Sequence, residues 1–343
     1  MTAYAIRECC RAVNIPIATL EVTSKCNSRC NTCNIWRLQA DQKEGRRELD
    51  TEECCAILKQ LRELGCRSIE LHGGEPTLRR DLPELVSCCT RLGMATMFAT
   101  NGLSMTEKLA SELVEAGLKQ IRFSLEGPRE VHNLIRGRDD AFDRQMEAIA
   151  AIHRADSTSR VIKVINTTIS CMNIDTVERI MDLARQVQIK YVLVFLASVV
   201  RADVAEQTNE IFAEDVAYRR SQLDRELLIY DPDLIEAKRA QLLKKAQEQG
   251  VHLNNSTFFT MPVSAVIRGI KRYPGPCSRI YEACTVDSFG VVLPCEYLRY
   301  RCGDVRDQAL KDILAGHRFQ QFSKMYSENI DRLRICDYCC HSL

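Results

Sequence analysis

Residues 1–200 alternate short apolar runs with amphipathic stretches, and no other feature restricts the possible folds as much. The runs are 17–23 IATLEVT, 68–72 SIELH, 95–100 ATMFAT, 121–125 IRFSL, 161–169 VIKVINTTI and 190–196 KYVLVFL. They have strand length and are rich in β-branched and aromatic residues. The stretches between them carry helix signals. Asp50 and Glu53 have the spacing of a capping box, Ile57, Leu61 and Leu64 follow at helical intervals, and Gly65 suits the position just past the helix end. Asp175 and Glu178 repeat the box ahead of Ile180, Ala184 and Val187, and Thr106 suits the cap of a helix that stops before Gly117. Strands separated by helices pair in parallel through right-handed crossovers. Six such units predict an α/β fold built on a partial (β/α)6 barrel, with a doubly wound sheet as the competing arrangement.

The two faces of these strands differ. Ile121, Phe123 and Leu125 share one face and Arg122, Ser124 and Glu126 the other, while Ile69 and Leu71 oppose Glu70 and His72. A parallel sheet covered by helices on both sides is apolar on both faces. One polar face therefore predicts a lumen that meets a polar ligand. Glu21, Glu70, His72, Arg122 and Glu126 become candidates for acid–base work, each weighed against a structural role in that lumen.

Directly after the first run comes CNSRCNTC, residues 26–33, which places Cys26, Cys30 and Cys33 close together. The chain holds 18 cysteines in 343 residues. It is 45% hydrophobic, enough for its own core, and MTAYAIRECCRAVNIPIATLEV is no export signal, so a reducing cytoplasmic setting is expected rather than a disulfide framework. No apolar run reaches spanning length, and 47 basic against 46 acidic residues predict neither a membrane nor a nucleic-acid partner. The doublets Cys9–Cys10, Cys54–Cys55 and Cys88–Cys89 do not share a helix face and read as small fillers. The 26–33 spacing would also suit fillers along one helix face. Its Asn and Ser, however, favour a turn, and its position is that of a βα loop, where barrel active sites lie. Three thiolates there can hold three irons of a [4Fe–4S] cluster and leave the fourth open, whereas zinc would want a fourth protein ligand.

One unit later, HGGEP occupies 72–76. Gly73 and Gly74 allow a tight turn and close backbone approach to a ligand, and Glu75 offers a carboxylate to an ammonium group. Residues 201–255 are charged and helical in pattern, broken at YDPDL, and are expected to form a connector. From 256 to 343 the chain holds seven cysteines, at 277, 284, 295, 302, 336, 339 and 340, with one helix signal near 305–326. A small, separate α+β domain is expected here. Four thiolates from its two segments suit either a [4Fe–4S] cluster or structural zinc.

Taken in order, these motifs resemble those of the radical S-adenosylmethionine enzymes. Cys26, Cys30 and Cys33 match the CX3CX2C cluster motif, and Gly73, Gly74, Glu75 and Pro76 match the GGEP motif, which in the family holds the methionine amino group. TNG at 100–102, SLEG at 124–127 and IRG at 135–137 resemble further landmarks of the same barrel. The resemblance covers about 17–200. It implies that Ser124 and Arg136 approach the carboxylate of S-adenosylmethionine, with Asn166 as a further candidate. The C-terminal part resembles the truncated SPASM domain called twitch. Cys277, Gly290 and Cys295 match CX12GX4C, and Cys336 and Cys339 supply the following CX2C. This implies one auxiliary cluster on Cys277, Cys295, Cys336 and Cys339, with Cys340 as a substitute for Cys339 and Cys284 and Cys302 as rivals. The implied division is 1–200 barrel, 201–255 helical connector and 256–343 auxiliary-cluster domain. The implied cofactors are two [4Fe–4S] clusters and S-adenosylmethionine.

The family's chemistry sets further expectations. An external one-electron donor, flavodoxin or ferredoxin, reduces the first cluster. The C5′–S bond of S-adenosylmethionine then breaks to a 5′-deoxyadenosyl radical, which takes a hydrogen from the substrate. A single four-cysteine auxiliary cluster resembles that of twitch dehydrogenases acting on a cyclitol alcohol. It implies a small polar metabolite of sugar, aminoglycoside or nucleoside type, oxidised with the help of the auxiliary cluster, or else epimerised, decarboxylated or subject to elimination. Peptide modification is the rival, disfavoured because Cys26 leaves no room for a recognition domain ahead of the barrel and the longer SPASM end is missing. A non-enzymatic iron–sulfur carrier or zinc-binding protein is the other class, but a carrier needs no GGEP turn. Cys171, after the fifth run, is weighed as a hydrogen donor against a packed thiol, while Trp36 and His341 carry no signal.

Overall fold

The computed structural model describes residues 14–38, 46–197, 199–216, 227–254, 256–268, 270, 277 and 279–339. All six expected strands form: β1 (Ile17–Thr23), β2 (Ser68–Gly73), β3 (Ala95–Thr100), β4 (Gln120–Ser124), β5 (Ile162–Ile169) and β6 (Tyr191–Leu196). They pair in parallel in chain order. Helices cross between them, so β1 to β6 form the expected partial barrel. A doubly wound sheet would reverse direction at a switch point, and β1 to β6 show none. A short β7 (His252–Leu253) adds one more parallel strand beyond β6.

The alternation of the strands does what the pattern predicts. Ile69, Leu71, Ile121 and Phe123 are fully buried beneath the helices, while Glu70, His72, Arg122 and Ser124 on the opposite face are half-buried. Each such large apolar side chain contributes about 1.5–3 kcal/mol on burial. The helix Thr51–Glu63 starts with the expected capping box, in which Asp50 accepts from the Glu53 N–H and Glu53 from the Asp50 N–H. Thr106 caps Glu107–Glu115 through the Leu109 N–H. The second box does not form. A 3-10 turn, Ile174–Thr176, precedes the helix Arg179–Gln186, which has no side-chain cap. Lys238 donates to the Glu178 carboxylate at 2.7 Å and to the Asp175 carbonyl at 2.5 Å, so a distant ammonium takes the carboxylate that the box would use.

The expected connector is built around the helices Ala202–Phe212 and Pro232–Gln249. YDPDL is the start of the second, with Asp231 capping the Asp233 and Leu234 N–H groups and Pro232 in its first turn. Past residue 256 the chain returns to the same sheet. There β8 (Ala283–Val286) pairs in parallel with β1, and β9 (Val291–Leu293) and β10 (Gly303–Asp304) follow antiparallel. The compositional change at 256 therefore marks new chemistry on a continuous hydrogen-bonded frame. Gly290 turns the β8–β9 hairpin at φ +91°, and a Cβ there would lie 2.9 Å from the Asp304 carboxylate. Cys54, Cys88 and Cys89 are buried fillers and Cys55 is partly buried, while Cys9, Cys10, Cys340 and His341 lie outside the described residues. Among the described residues no helix is long and apolar enough to cross a membrane.

Candidate active site

The loop carrying Cys26, Cys30 and Cys33 leaves the C-terminal end of β1, where barrel sites form. Neighbouring βα loops brace it. The Gly74 N–H donates to the Thr23 carbonyl and the Glu75 N–H to the Lys25 carbonyl, both at 2.8 Å. Asn27 donates to Ser104 and accepts from Asn101, both at 2.9 Å. The Asn31 N–H reaches the Ile135 carbonyl at 2.8 Å, and Trp36, silent in the sequence, donates its indole N–H to the Cys30 carbonyl at 3.2 Å. Glu48 accepts from the Ser24 N–H and hydroxyl, each at 2.7 Å.

The glycines of GGEP serve this packing. A Cβ on Gly73 would lie 2.0 Å from the Thr23 carbonyl oxygen, and one on Gly74 2.0 Å from that of Lys25. The close approach expected of them is made to the cysteine loop itself. Pro76 begins a 3-10 turn, Pro76–Leu78, and Glu75 caps it. The Glu75 carboxylate is buried and accepts from the Thr77 hydroxyl (2.6 Å), the Thr77 N–H (3.2 Å), the Thr100 hydroxyl (2.8 Å) and the Asn101 N–H (2.8 Å). Burial pushes its pKa up against these four donors. The side chain ties GGEP to TNG, with three of the four bonds on Oε1 and only the Asn101 N–H on Oε2.

Arg136 lies against Cys30, with Nη1 3.6 Å from the thiol, and its Nη2 donates to Glu126 at 2.6 Å. Ser28 contacts the same thiol at 3.1 Å and donates to the Arg136 carbonyl at 3.1 Å. Glu126 accepts from the Thr168 N–H at 2.8 Å, and its own N–H donates to His132 Nδ1 at 3.2 Å. Burial, with Arg136 adding to it, holds His132 down at about 3, so the ring is neutral and accepts. Burial raises Cys26 to about 11, assisted by Glu75, Cys30 and Cys33 and opposed by the Ser28 N–H. Among the described residues no three His, Cys, Asp or Glu side chains converge on one metal-ion position.

Ser124 and Asn166 are register partners across β4 and β5. Asn166 Oδ1, Arg122 Nε and Arg136 Nε are buried without hydrogen-bond partners. A polar ligand in the lumen would satisfy such atoms, so the site fits S-adenosylmethionine and a polar substrate. The acid–base candidates are largely engaged in structural pairs. Arg122 donates to Glu70 at 3.2 Å and contacts the Met97 sulfur at 3.1 Å, and Arg299 binds Glu21 at 3.1 Å and Asp287 at 3.2 Å. Cys171 is exposed rather than packed.

Cys277, Cys295 and Cys339 line one cavity together with Thr19, Arg279 and Glu296. Cys336 sits one turn before Cys339, whose N–H donates to its carbonyl at 3.2 Å. Three of the four expected thiols thus face one space, a donor set that fits an iron–sulfur cluster. Cys284 also borders the cavity but is buried in the core, as is Cys302, and burial raises both to about 12. Thr19 donates to Glu296 at 2.9 Å, so the segment after Cys295 touches the lumen face of β1 through Glu296 and Arg299. Sequence reasoning missed Glu296, Arg299 and Glu48, because no local pattern relates them to their distant partners.

The family model described as the Radical SAM superfamily matches residues 20–196, and that of the SPASM iron–sulfur cluster-binding domain matches 277–340. An AdoMet-dependent heme synthase of Methanosarcina barkeri is 25% identical over 321 residues, 93% of this chain and 87% of the relative. An Fe-coproporphyrin III synthase of the same organism is 35% identical over 175 residues, 51% of this chain and 42% of the relative. The crystal structure of Streptococcus suis SuiB bound to S-adenosylmethionine superposes with a TM-score of 0.68 at 16% identity, over 96% of this chain and 73% of that one, a likeness of fold.

Proposed function

Because the chain belongs to the Radical SAM superfamily and carries a SPASM-type domain, we propose that it abstracts a hydrogen atom from a carboxylate-bearing iron tetrapyrrole and drives its oxidative decarboxylation. The observation that carries this reading is similarity over 93% of the chain to a relative named AdoMet-dependent heme synthase. It favours a tetrapyrrole over the sugar or aminoglycoside expected from the twitch resemblance. Fe-coproporphyrin III carries propionates at two positions where heme carries vinyl groups. Turning one propionate into a vinyl group removes one hydrogen atom, one electron and one CO2. A site for hydrogen abstraction and a site for electron acceptance together meet that balance.

Cys26, Cys30 and Cys33 would hold the first cluster, and Cys277, Cys295, Cys336 and Cys339 the auxiliary one. When bound, the clusters and S-adenosylmethionine supply one-electron transfer and the hydrogen-abstracting radical. The chain's own residues position and enclose. Arg136, Ser124 and Asn166 would border S-adenosylmethionine, a reading supported by the register pairing of Ser124 with Asn166 and the contact of Arg136 with Cys30. Arg122, with Nε unpartnered and buried, offers a guanidinium edge to a substrate carboxylate. The Glu21–Arg299 and Thr19–Glu296 contacts tie the segment after Cys295 to the lumen face of β1. An external flavodoxin or ferredoxin would deliver the electron.

Anaerobically reconstituted protein, given dithionite, S-adenosylmethionine and Fe-coproporphyrin III, should release CO2 and form vinyl-bearing product. Cleavage of S-adenosylmethionine with the tetrapyrrole left intact, beside conversion of a sugar alcohol or a peptide, would overturn the reading.

A further inference from the structure

The contact between Arg136 and Cys30 has no counterpart among the expectations from sequence, which directed this arginine to the cofactor carboxylate. We propose that Arg136, locked by Glu126, is a positioning residue that donates an N–H···S hydrogen bond to Cys30 and so sets how readily the first cluster accepts an electron. The inference rests on the assignment of Cys26, Cys30 and Cys33 to that cluster.

The geometry leaves the guanidinium little freedom. Its Nη2 is held by Glu126 at 2.6 Å, and its side chain is 13% exposed against 4% for Glu126. Glu126 is fixed in turn by the Thr168 N–H at 2.8 Å, the Thr167 hydroxyl at 3.4 Å and its own N–H to His132. Asn173 holds the Glu126 carbonyl at 2.9 Å. The remaining terminal nitrogen, Nη1, points at the Cys30 sulfur at 3.6 Å, within reach of a sulfur acceptor. The Ser28 hydroxyl lies 3.1 Å from the same sulfur and donates its hydrogen to the Arg136 carbonyl at 3.1 Å, tying that residue's backbone to the cysteine loop. Hydrogen bonds and positive charge at a cluster thiolate stabilise the reduced, more negative state and raise the potential. Burial strengthens the effect, because little solvent screens it. Nε is buried without a hydrogen-bond partner.

Removing the two charges of the pair in turn should first raise the potential and then lower it again. Glu126→Gln keeps an oxygen acceptor for the Thr168 N–H but removes the compensating charge, leaving Arg136 in excess. The midpoint potential of the first cluster, followed by electron paramagnetic resonance in a dithionite titration without S-adenosylmethionine, should move positive. The double variant Arg136→Gln/Glu126→Gln leaves no unpaired buried charge, and its potential should fall below that of the single variant. Wild-type iron content and spectrum test the cluster assignment separately from the tuning. Should the double variant fail to assemble, the Glu126→Gln titration and the Fe–S(Cys) stretches of Arg136→Lys by resonance Raman still decide. Unchanged potentials and stretches, or a double-variant potential at or above that of Glu126→Gln, would overturn the proposal.

Discussion

Replacing Gly74 with alanine would set a methyl carbon 2.0 Å from the Lys25 carbonyl oxygen, 2.4 Å from its carbon and 2.9 Å from the Ser24 oxygen. All three atoms are backbone, so no side-chain rotation relieves the clash. Reaching the 3.4 Å of an ordinary contact requires the cysteine loop or the GGEP turn to move by about 1.4 Å. That displacement breaks the Gly74–Thr23 and Glu75–Lys25 hydrogen bonds, each 2.8 Å long. Two backbone hydrogen bonds at about 1 kcal/mol each, with overpacking of about 1–3 kcal/mol, give about 3–5 kcal/mol. The loss falls on the loop that carries Cys26, Cys30 and Cys33. The variant should keep the auxiliary site and lose the first, binding about four irons where wild type binds about eight. Gly93→Ala is the control. It has φ +70° but nothing within 4 Å, so it should cost only about 1–2 kcal/mol of backbone strain. Iron and sulfide analysis after anaerobic reconstitution, with denaturant melts of the unloaded proteins, measures both effects. Full iron loading and wild-type stability in Gly74→Ala would refute the steric argument.

Glu75→Ala should destabilise the unloaded protein by about 3 kcal/mol or more in a denaturant melt, because the Thr77, Thr100 and Asn101 donors lose a buried acceptor. Weaker S-adenosylmethionine binding at unchanged stability would instead give the carboxylate to the ligand. Arg122→Lys keeps a charge beside Glu70 but loses the planar fork, so affinity for Fe-coproporphyrin III in an absorbance titration should fall about tenfold while S-adenosylmethionine cleavage persists. Glu53 is held down at about 2, chiefly by hydrogen bonds from Arg306 and Arg47. Its stabilising effect is present above the ordinary value of 4.5 and lost as pH falls toward 2, and solvent exposure keeps it small. The melting-point advantage of wild type over Glu53→Gln should therefore shrink across that window. Cys295→Ala should retain about four irons and cleavage of S-adenosylmethionine but form no decarboxylated product, and full product formation would remove the auxiliary site from turnover.

The parts of this site that the sequence made legible are those where one short segment carries the whole signal. The 26–33 cysteines, the GGEP turn, the Asp50–Glu53 box and the alternation of β4 each contain their own explanation within a few residues. What stayed hidden depends on partners far apart in the chain. The Asp175–Glu178 box has the right letters, but Lys238 claims the Glu178 carboxylate through tertiary packing. The role of Glu75 in tying GGEP to TNG is invisible for the same reason, because nothing nearby in sequence reveals that the Thr100 hydroxyl and the Asn101 N–H donate to its carboxylate.

The same limit governs the change of composition at 256, which suggests a boundary but says nothing about strand pairing. β1 pairs with β2 on one side and β8 on the other. It ends in the first cysteine loop, and Thr19 and Glu21 on its lumen face hold Glu296 and Arg299, just beyond Cys295. One strand therefore positions both cysteine sites. A hydrogen-bonded frame keeps their separation fixed in a way that a linker between independent domains would not. In the proposed reaction, which would remove a hydrogen atom at one site and an electron at the other, such a frame would hold both sites in place around one bound substrate.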